Sequence, residues 1–223
     1  MKIKILGTRG EIEASLPRHS KHSGVLIDNQ LLLDLGEKEF LKTKPKWIFI
    51  THLHPDHAFF VTKPAKIKAP IYTPEKYQNE IKVGPYKIKP IPTHHSLKVK
   101  SYAYLIKKGK YKLLYTGDMI WINKKYHHLF KNLNLVITEG SFIRKGGMVR
   151  RDKKTGKIYG HTGIPDLVKM FKDYTKHIVF IHFGSWFYKD IKKARTKIRK
   201  LAKENNIDLR IGYDGLNLDL KKL

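Results

Sequence analysis

Four side chains of types that bind divalent metals lie within six residues: His52, His54, Asp56 and His57. They follow an apolar run at residues 48–50 that is typical of a buried strand, and Pro55 turns the chain. Residues i and i+2 of an extended chain point the same way, so the first two histidines can bind one ion together. The other two side chains then face a second position. Imidazole and carboxylate without thiolate suit zinc, with iron or manganese as alternatives.

The elements that must position these residues are mostly short strands. Runs of apolar and β-branched residues predict strands at residues 3–6, 24–27, 31–34, 47–51, 86–92, 102–106, 111–116, 135–138, 178–181 and 209–213. Helical periodicity appears after Pro165 and over residues 190–203, and more weakly over 122–133. Residues 142–160 are rich in glycine and basic residues, and we expect them to be irregular. This order predicts one mixed α/β domain over residues 1–223, with two sheets and helices outside.

The composition limits the class of protein. With 223 residues, 41% of them hydrophobic, the chain can bury a sizeable core. The absence of cysteine excludes disulfides, thiolate zinc sites and a cysteine nucleophile. The first residues lack the apolar run of a signal peptide, and no later segment is long enough to span a membrane. We therefore expect a cytoplasmic protein.

The charge balance is strongly positive. The 46 Lys and Arg against 19 Asp and Glu leave a formal charge of +27, so many basic groups have no acidic partner in the chain. Such a field attracts anions, nucleic acid above all. A lysine-biased proteome explains the charge equally well. Seven basic residues lie in the glycine-rich segment, where they either contact an anionic substrate or form a solvated face: Arg144, Lys145, Arg150, Arg151, Lys153, Lys154 and Lys157.

The spacing of the four-residue cluster resembles that of the metallo-β-lactamase superfamily. Further segments resemble other elements of that superfamily in the same order: the strand-end acid Asp34, the pair His94-His95, Gly117-Asp118, and His182 after an apolar run. The resemblance implies a four-layer αββα sandwich holding two divalent metal ions, zinc first, with Mn²⁺ or Fe²⁺ as alternatives. It implies His52, His54 and His95 on the first ion, Asp56, His57 and His182 on the second, and Asp118 bridging both.

Two choices within this set follow from strand geometry and ligand chemistry. Adjacent residues of a strand face opposite ways, so only one of His94 and His95 is expected to be a ligand, and alignment to the proline-rich strand end favours His95. Asp34 is expected to accept the N–H of a ligand histidine and so set its tautomer. Gly117 either leaves room for a close backbone approach or forms a plain turn.

The resemblance implies a metal-dependent hydrolase that attacks its substrate with a hydroxide bridging two metals. Glu139 at a strand end and His161-Thr162 before a helix resemble the ribonuclease Z branch, in which such a pair helps to protonate the leaving group. We therefore predict a phosphodiesterase or nuclease with Asp56, Glu139 and His161 as catalytic residues. In the alternative interpretation, Thr162 only caps the helix and His161 bonds locally. The alternative function is hydrolysis of a small thioester, lactone or ester of the glyoxalase II type.

The sequence also departs from that branch. Ala58-Phe59-Phe60 stand where many relatives carry glycine, and the chain has no counterpart of the long glycine–proline-rich arm of ribonuclease Z. This argues against tRNA 3′-end processing and leaves a nuclease or a cyclic-nucleotide phosphodiesterase open. The expected partner is an anionic substrate, with RNA or DNA as candidates and no membrane. A homodimer stays open.

Overall fold

The computed structural model of the protein describes residues 1–223. Its strands, in chain order, are β1 (Lys2–Gly7), β2 (Gly24–Ile27), β3 (Leu31–Leu33), β4 (Trp47–Phe49), β5 (Ile71–Tyr72), β6 (Ile81–Val83), β7 (Tyr86–His94), β8 (Tyr102–Lys108), β9 (Tyr111–Tyr115), β10 (Trp121–Ile122), β11 (Leu135–Gly140), β12 (Met148–Arg151), β13 (Ile158–His161), β14 (His177–Phe183), β15 (Asp208–Ile211) and β16 (Asn217–Asp219). The α-helices are α1 (Ile164–Phe171), α2 (Ser185–Lys189) and α3 (Ile191–Asn205).

The strands form two large sheets and one hairpin. The first sheet has the order β16-β1-β2-β3-β4-β5. The second has the order β10-β7-β8-β9-β11-β14-β15, with β6 paired to β7, and strands β12 and β13 pair only with each other. Strands β9, β11, β14 and β15 are parallel neighbours, so their carboxyl ends lie at one edge of the second sheet.

The main core lies between the two sheets, because alternate residues of each strand point to the same face. In β1, Ile3 and Ile5 are buried while Lys2 and Lys4 are exposed. The cluster between the sheets also contains Phe49 of β4.

A second core lies outside the second sheet, where α1 and α3 cover it. Helix α1 buries Leu167 and Phe171, and α3 buries Ala194 and Ile198, in accordance with the predicted periodicity. The outer face of the first sheet is covered differently, by two 3-10 helices that bury Phe40 and Phe59. The predicted αββα sandwich is confirmed, with 3-10 turns forming one outer layer. None of the helices is both long enough and apolar enough to cross a membrane.

Two segments differ from the sequence predictions. The weak helix over 122–133 is a 3-10 helix, Lys124–Phe130, which buries only Phe130. One buried side chain gives too narrow an apolar stripe to hold a longer helix on the core. The segment 142–160, expected to be irregular, contains the β12–β13 hairpin. Strand β12 has no buried residue, so its sequence carries none of the alternation that marks a strand.

Candidate metal centre

The chain leaves β4 at the edge where the parallel strands of the second sheet also end. The amide of Ile50 still bonds to the Tyr72 carbonyl, and the amide of Tyr102 bonds to the Thr51 carbonyl, at 2.9 Å each. These bonds tie the segment after β4 to both sheets. The segment from His52 to His57 then forms a hydrogen-bonded turn, because the amides of His57 and Ala58 both donate to the His54 carbonyl. The four predicted side chains are therefore held on a short, well-bonded turn.

The structure brings all seven predicted ligand residues into two adjoining groups. His52, His54 and His95 form one group, and Asp56, His57, Asp118 and His182 form the other. Within each group, the potential ligand atoms lie within 4.8 Å of one another. This spacing lets the atoms of each group approach one ion together.

Asp118 lies between the two groups. Its Oδ2 is 3.8 Å from His52 Nε2 and 3.9 Å from His95 Nε2 on one side, and 3.3 Å from His182 Nε2 on the other. Its Oδ1 is 3.3 Å from His57 Nε2. The Asp118 carboxylate therefore lies within reach of both groups.

Three buried polar atoms at the centre of this cluster have no hydrogen-bond partner: His52 Nε2, His57 Nε2 and Asp118 Oδ1. An unpaired buried polar group costs about 1–3 kcal/mol, so such groups are rarely left together without a function. Nitrogen and carboxylate donors converging on two positions fit two divalent ions, and zinc above all. The residues present therefore fit the expected metals.

Asp34 fixes the orientation of His57 by a hydrogen bond. His57 Nδ1–H donates to Asp34 Oδ2 at 2.7 Å, which leaves Nε2 facing the centre of the cluster. The same carboxylate accepts from the Thr51 amide and from the Tyr115 hydroxyl, both at 2.7 Å. This is the bond expected of the strand-end acid, whereas the contributions of Thr51 and Tyr115 were not predicted.

Three further contacts hold His52, His95 and His182 by their Nδ1 atoms. Thr51 Oγ1 lies 3.1 Å from Nδ1 of His52, the Gly160 carbonyl oxygen lies 3.0 Å from Nδ1 of His95, and Ser141 Oγ lies 2.9 Å from Nδ1 of His182. Each contact leaves the Nε2 atom turned towards the cluster, as outer-shell partners of metal-binding histidines do. Sequence reasoning missed Ser141, although a hydroxyl directly after the strand that carries Glu139 was a usable signal.

The structure separates the two adjacent histidines at the end of β7. His95 is 5% exposed and lies in the cluster, with Nε2 3.2 Å from His54 Nδ1. His94 is exposed and packs its ring against Trp121, with the ring centroids 4.8 Å apart. The two side chains thus face different surroundings, and His95 is the one that lies among the potential ligands.

A β-bulge brings His182 to the site. In the pairing of β11 with β14, Glu139 lies opposite Ile181 and Gly140 lies opposite Phe183, so His182 has no partner residue. It adopts a left-handed conformation with φ 53°. Bulges redirect side chains next to functional sites. Here the bulge directs the His182 side chain towards the metal centre, although its neighbours in sequence, Ile181 and Phe183, are buried and apolar.

Glu139 and His161 form a hydrogen-bonded pair at the rim of the centre. Glu139 is 1% exposed, and its Oε2 accepts from His161 Nδ1–H at 2.8 Å, while its Oε1 accepts from the Met119 amide at 2.7 Å. Burial lowers the pKa of His161, but the Glu139 and Asp118 carboxylates outweigh burial and raise it to about 9. Thr162 does not cap α1, because the residue at that position is Gly163 and no side chain caps the helix.

The central carboxylates remain anionic despite their burial. Burial alone would raise the pKa of Asp118, but His182 and His57 outweigh it and hold the pKa well below its usual value. The same balance, with His57 and His182 as the neighbours, lowers the pKa of Asp56 to about 2. A buried site that keeps two carboxylates charged provides the negative charge that divalent cations need.

A cavity of about 520 Å³ opens onto the centre. Six of the nine predicted site residues line it, and the rest of its wall includes four apolar side chains: Ile12, Phe142, Met148 and Trp186. The Trp186 indole is fixed by a hydrogen bond from Nε1 to the Gly140 carbonyl, at 2.8 Å. The cavity thus combines a polar floor with a partly apolar wall.

Comparison with known proteins gives similarity in structure alone. No family model matches the sequence, and no curated protein matches it. Among solved structures, the metallo-β-lactamase fold protein YhfI from Bacillus subtilis aligns with a TM-score of 0.72 and 17% identity, over 97% of this chain and 98% of its own. The human short-form tRNase Z aligns with a TM-score of 0.65 and 15% identity, over 99% of both chains.

A diphosphatase from the PhnP family aligns with a TM-score of 0.64 and 14% identity, over 98% of this chain and 97% of its own. At these identities the similarity describes the fold and leaves the activity open. Together with the two facing sheets and their outer layers, it shows that this protein has the metallo-β-lactamase fold.

Proposed function

We propose that the protein is a metal-dependent hydrolase with a two-metal centre. His52, His54 and His95 would hold one ion, Asp56, His57 and His182 the other, and Asp118 would bridge them. The unpaired buried atoms at the middle of this set support the assignment, because ions there would satisfy all of them. When bound, two divalent ions supply Lewis-acid activation of water and of the attacked group.

Phosphodiesters are the substrate class that we propose for this centre. The observation that carries this choice is the Glu139–His161 pair beside Asp118, with His161 Nδ1 2.8 Å from Glu139 and 3.9 Å from Asp118. Hydrolysis of a phosphodiester needs a proton on the departing alkoxide oxygen, and a histidine held by a carboxylate is suited to supply it. Thioesters have a better leaving group and need such a proton less.

In this mechanism the residues of the chain orient the reactants and move one proton. Asp56, held anionic, accepts a hydrogen bond from the attacking water and orients it. Glu139 holds Nδ1–H of His161, so that Nε2–H of the imidazolium is free to donate to the leaving oxygen. The Met119 amide keeps Glu139 in place for this role.

The β12–β13 hairpin places positive charge beside the centre. The Gly160 amide bonds to the His95 carbonyl at 2.7 Å, which fixes the hairpin to a proposed ligand residue. The seven basic residues of the glycine-rich segment all lie on or beside this hairpin, are exposed, and make no ion pair with an acidic residue. Unpaired positive charge here favours a phosphate-bearing substrate.

The apolar wall of the cavity favours a second candidate, hydrolysis of a small thioester, lactone or ester. Ile12, Phe142 and Trp186 could receive an apolar acyl or alkyl group. The phosphodiester and the thioester differ in how far their hydrolysis should depend on His161. A phosphodiesterase should lose turnover without it, whereas a thioesterase should depend on it far less.

The test is a hydrolysis panel with protein loaded with Zn²⁺ or Mn²⁺, using bis(p-nitrophenyl) phosphate, RNA, a thioester and a lactone. We expect hydrolysis of the phosphodiesters. Asp118→Ala should lose metal and all activity, and His161→Ala should keep its metal but reduce kcat about 10²–10⁴-fold on an unactivated phosphodiester. His128→Ala, which removes an exposed histidine outside the centre, is the matched control and should behave as wild type.

Hydrolysis of the thioester or lactone but of neither phosphodiester would reject the phosphodiesterase proposal and support the second candidate. Loss of metal from His161→Ala would show that this side chain is a ligand and not a proton donor.

A further inference from the structure

A second groove of about 500 Å³ lies next to the active-site cavity and is also lined by the β12–β13 hairpin. We call it the Trp121 groove. It is lined by Thr93, His94, His95, Ser96, Leu97, Trp121, Arg151, Gly156, Lys157 and Ile158. His95 also lines the active-site cavity, so the groove and that cavity adjoin at a proposed metal ligand.

The groove contains an exposed aromatic surface on a rigid support. Strand β10 alternates, so Ile122 is 2% exposed in the core while Trp121 is 38% exposed. Trp121 lies opposite His94 in the pairing of β10 with β7, and their rings are tilted by 51°. The Ile120 amide bonds to the His94 carbonyl at 2.6 Å, which fixes the start of β10. A side chain of this size, held open to solvent, is available for stacking.

Two cations line the same groove as this aromatic surface. Arg151 and Lys157 are exposed and belong to the hairpin, and neither makes an ion pair. Arg151 Nη1 donates to the Gly156 carbonyl at 2.8 Å, which holds its guanidinium near the hairpin turn. The groove therefore presents a flat π face and two unpaired positive charges.

A neighbouring concavity extends the groove. This concavity, of about 390 Å³, shares Thr93, Ser96 and Leu97 with the groove, and adds Lys98 and Lys100 to its wall. The groove and this concavity together present one aromatic surface and four exposed cations, Arg151, Lys157, Lys98 and Lys100. A stacking surface combined with positive charge is what a single nucleic-acid strand requires.

We propose that the Trp121 groove binds a nucleotide of a single-stranded nucleic acid, with its base stacked on Trp121 and its phosphate between Arg151 and Lys157. The next phosphodiester along the strand would then lie at the metal centre, a placement that rests on the proposed function. RNA and DNA share this base-and-phosphate chemistry. In a duplex the bases are already stacked and paired, so their faces cannot reach the indole.

The first test measures binding without cleavage. Fluorescein-labelled 12-nucleotide phosphorothioate oligomers, as single-stranded RNA, single-stranded DNA and duplex, are titrated with metal-loaded protein and followed by fluorescence anisotropy. Trp121→Ala should weaken binding of single strands about tenfold or more, since one stacked base contributes that much. Trp121→Phe should recover most of it. Tyr77→Ala removes another exposed aromatic residue, outside the groove, and should bind as wild type.

The second test measures the salt dependence of binding, which reports the number of phosphate contacts. The slope of log Kobs against log salt concentration falls by about 0.7 for each phosphate contact that a single strand loses. Arg151→Gln and Lys157→Gln should each lower the slope by about this amount, and Arg151→Lys should keep it. Lys110→Gln is the matched control, because Lys110 follows β8 at the end away from Thr51 and the metal centre. Unfolding curves verify that each variant folds.

The outcomes separate this inference from the proposed function. The groove assignment is overturned if Trp121→Ala and wild type bind single strands with equal affinity. It is also overturned if wild type binds duplex as tightly as single strands. Trp121→Ala should also lower the ratio of kcat/KM for an oligonucleotide to kcat/KM for bis(p-nitrophenyl) phosphate about tenfold. An unchanged ratio in an enzyme that hydrolyses both would overturn the groove and leave the phosphodiesterase intact. Trp121-dependent binding without hydrolysis of any phosphodiester would support the groove and overturn the phosphodiesterase proposal.

Discussion

Replacing Asp34 by asparagine tests how far the metal centre depends on a residue that touches no ion. Asp34 is fully buried and adopts the left-handed conformation, with φ 58°. Asparagine has the same shape and tolerates that backbone conformation, so the substitution changes the charge and one acceptor atom with little strain.

The size of the effect follows from the hydrogen bonds. The two carboxylate oxygens accept from the Thr51 amide on one side, and from Tyr115 and His57 on the other. An amide offers one oxygen, so at least one buried donor must face an NH₂ group. A buried donor left unpaired costs about 1–3 kcal/mol, and loss of a bond to a charged acceptor adds to that. We expect about 2–4 kcal/mol of destabilisation.

Metal affinity should fall as well, because His57 Nδ1–H loses its anionic acceptor and its ring becomes a weaker, less well-oriented ligand. Loss of such a partner costs about 10–100-fold in affinity. The assay is competition with a fluorescent zinc chelator, together with urea unfolding of the same metal-free protein. The two measurements separate the effect on binding from the effect on folding.

Asp214→Asn is the matched control. Its carboxylate accepts from the Ser20 amide at 2.8 Å, the Lys21 amide at 3.0 Å and the Thr8 hydroxyl at 2.9 Å, and bonds to none of the proposed ligands. It should destabilise the fold without changing zinc affinity. Equal zinc affinities for wild type and Asp34→Asn would refute the reasoning, since the hydrogen bond to His57 would then have no effect on the ion.

Three further predictions concern single residues. Ser141→Ala removes the hydroxyl 2.9 Å from His182 Nδ1 and should weaken zinc about tenfold in the same chelator assay; unchanged affinity would contradict this. Gly117→Ala should destabilise the fold by about 2–4 kcal/mol in urea, because its Cβ would lie 2.6 Å from Thr51 at φ +57°; an effect under about 1 kcal/mol would show that the turn can relax. Burial lowers the pKa of His19 to about 4. Between pH 6.5 and 4 the unfolded chain therefore binds more protons than the folded protein does. From pH 7 to pH 5, the free energy of unfolding should fall by about 2 kcal/mol more in wild type than in His19→Gln, as measured by urea unfolding at each pH.

Each of these three substitutions has a counterpart elsewhere in the chain. Ser20→Ala removes a hydroxyl away from the centre and should keep zinc affinity. Gly109→Ala introduces a Cβ at φ +55° with no atom within 4 Å, so it measures backbone strain without the clash and should cost about 1 kcal/mol. His128→Gln removes an exposed histidine and should leave the pH dependence of stability as in wild type.

The sequence was most informative where one local rule controls the structure. Alternating apolar residues located β1, because one face of this strand is buried against the facing sheet. A continuous apolar run located β8, because residues on both faces of that strand are buried, some between the sheets and some under the helices. The same reasoning failed for β12, whose side chains are all at least partly exposed and whose pairing depends on backbone bonds alone. It also could not foresee the 3-10 helices over the first sheet, since short irregular segments bury single residues without a period.

The residue types and spacing from His52 to His57 determined by themselves that the chain has a potential metal site, because ligand chemistry depends on side-chain type and a short turn fixes their proximity. Only the tertiary structure decided how that site is held. Tyr115 lies 81 residues from Asp34 and Ser141 lies 41 residues from His182, and no local pattern relates residues so far apart. The bulge at His182 and the neighbouring Trp121 groove likewise arise from strand pairing, which forms only when the whole chain folds.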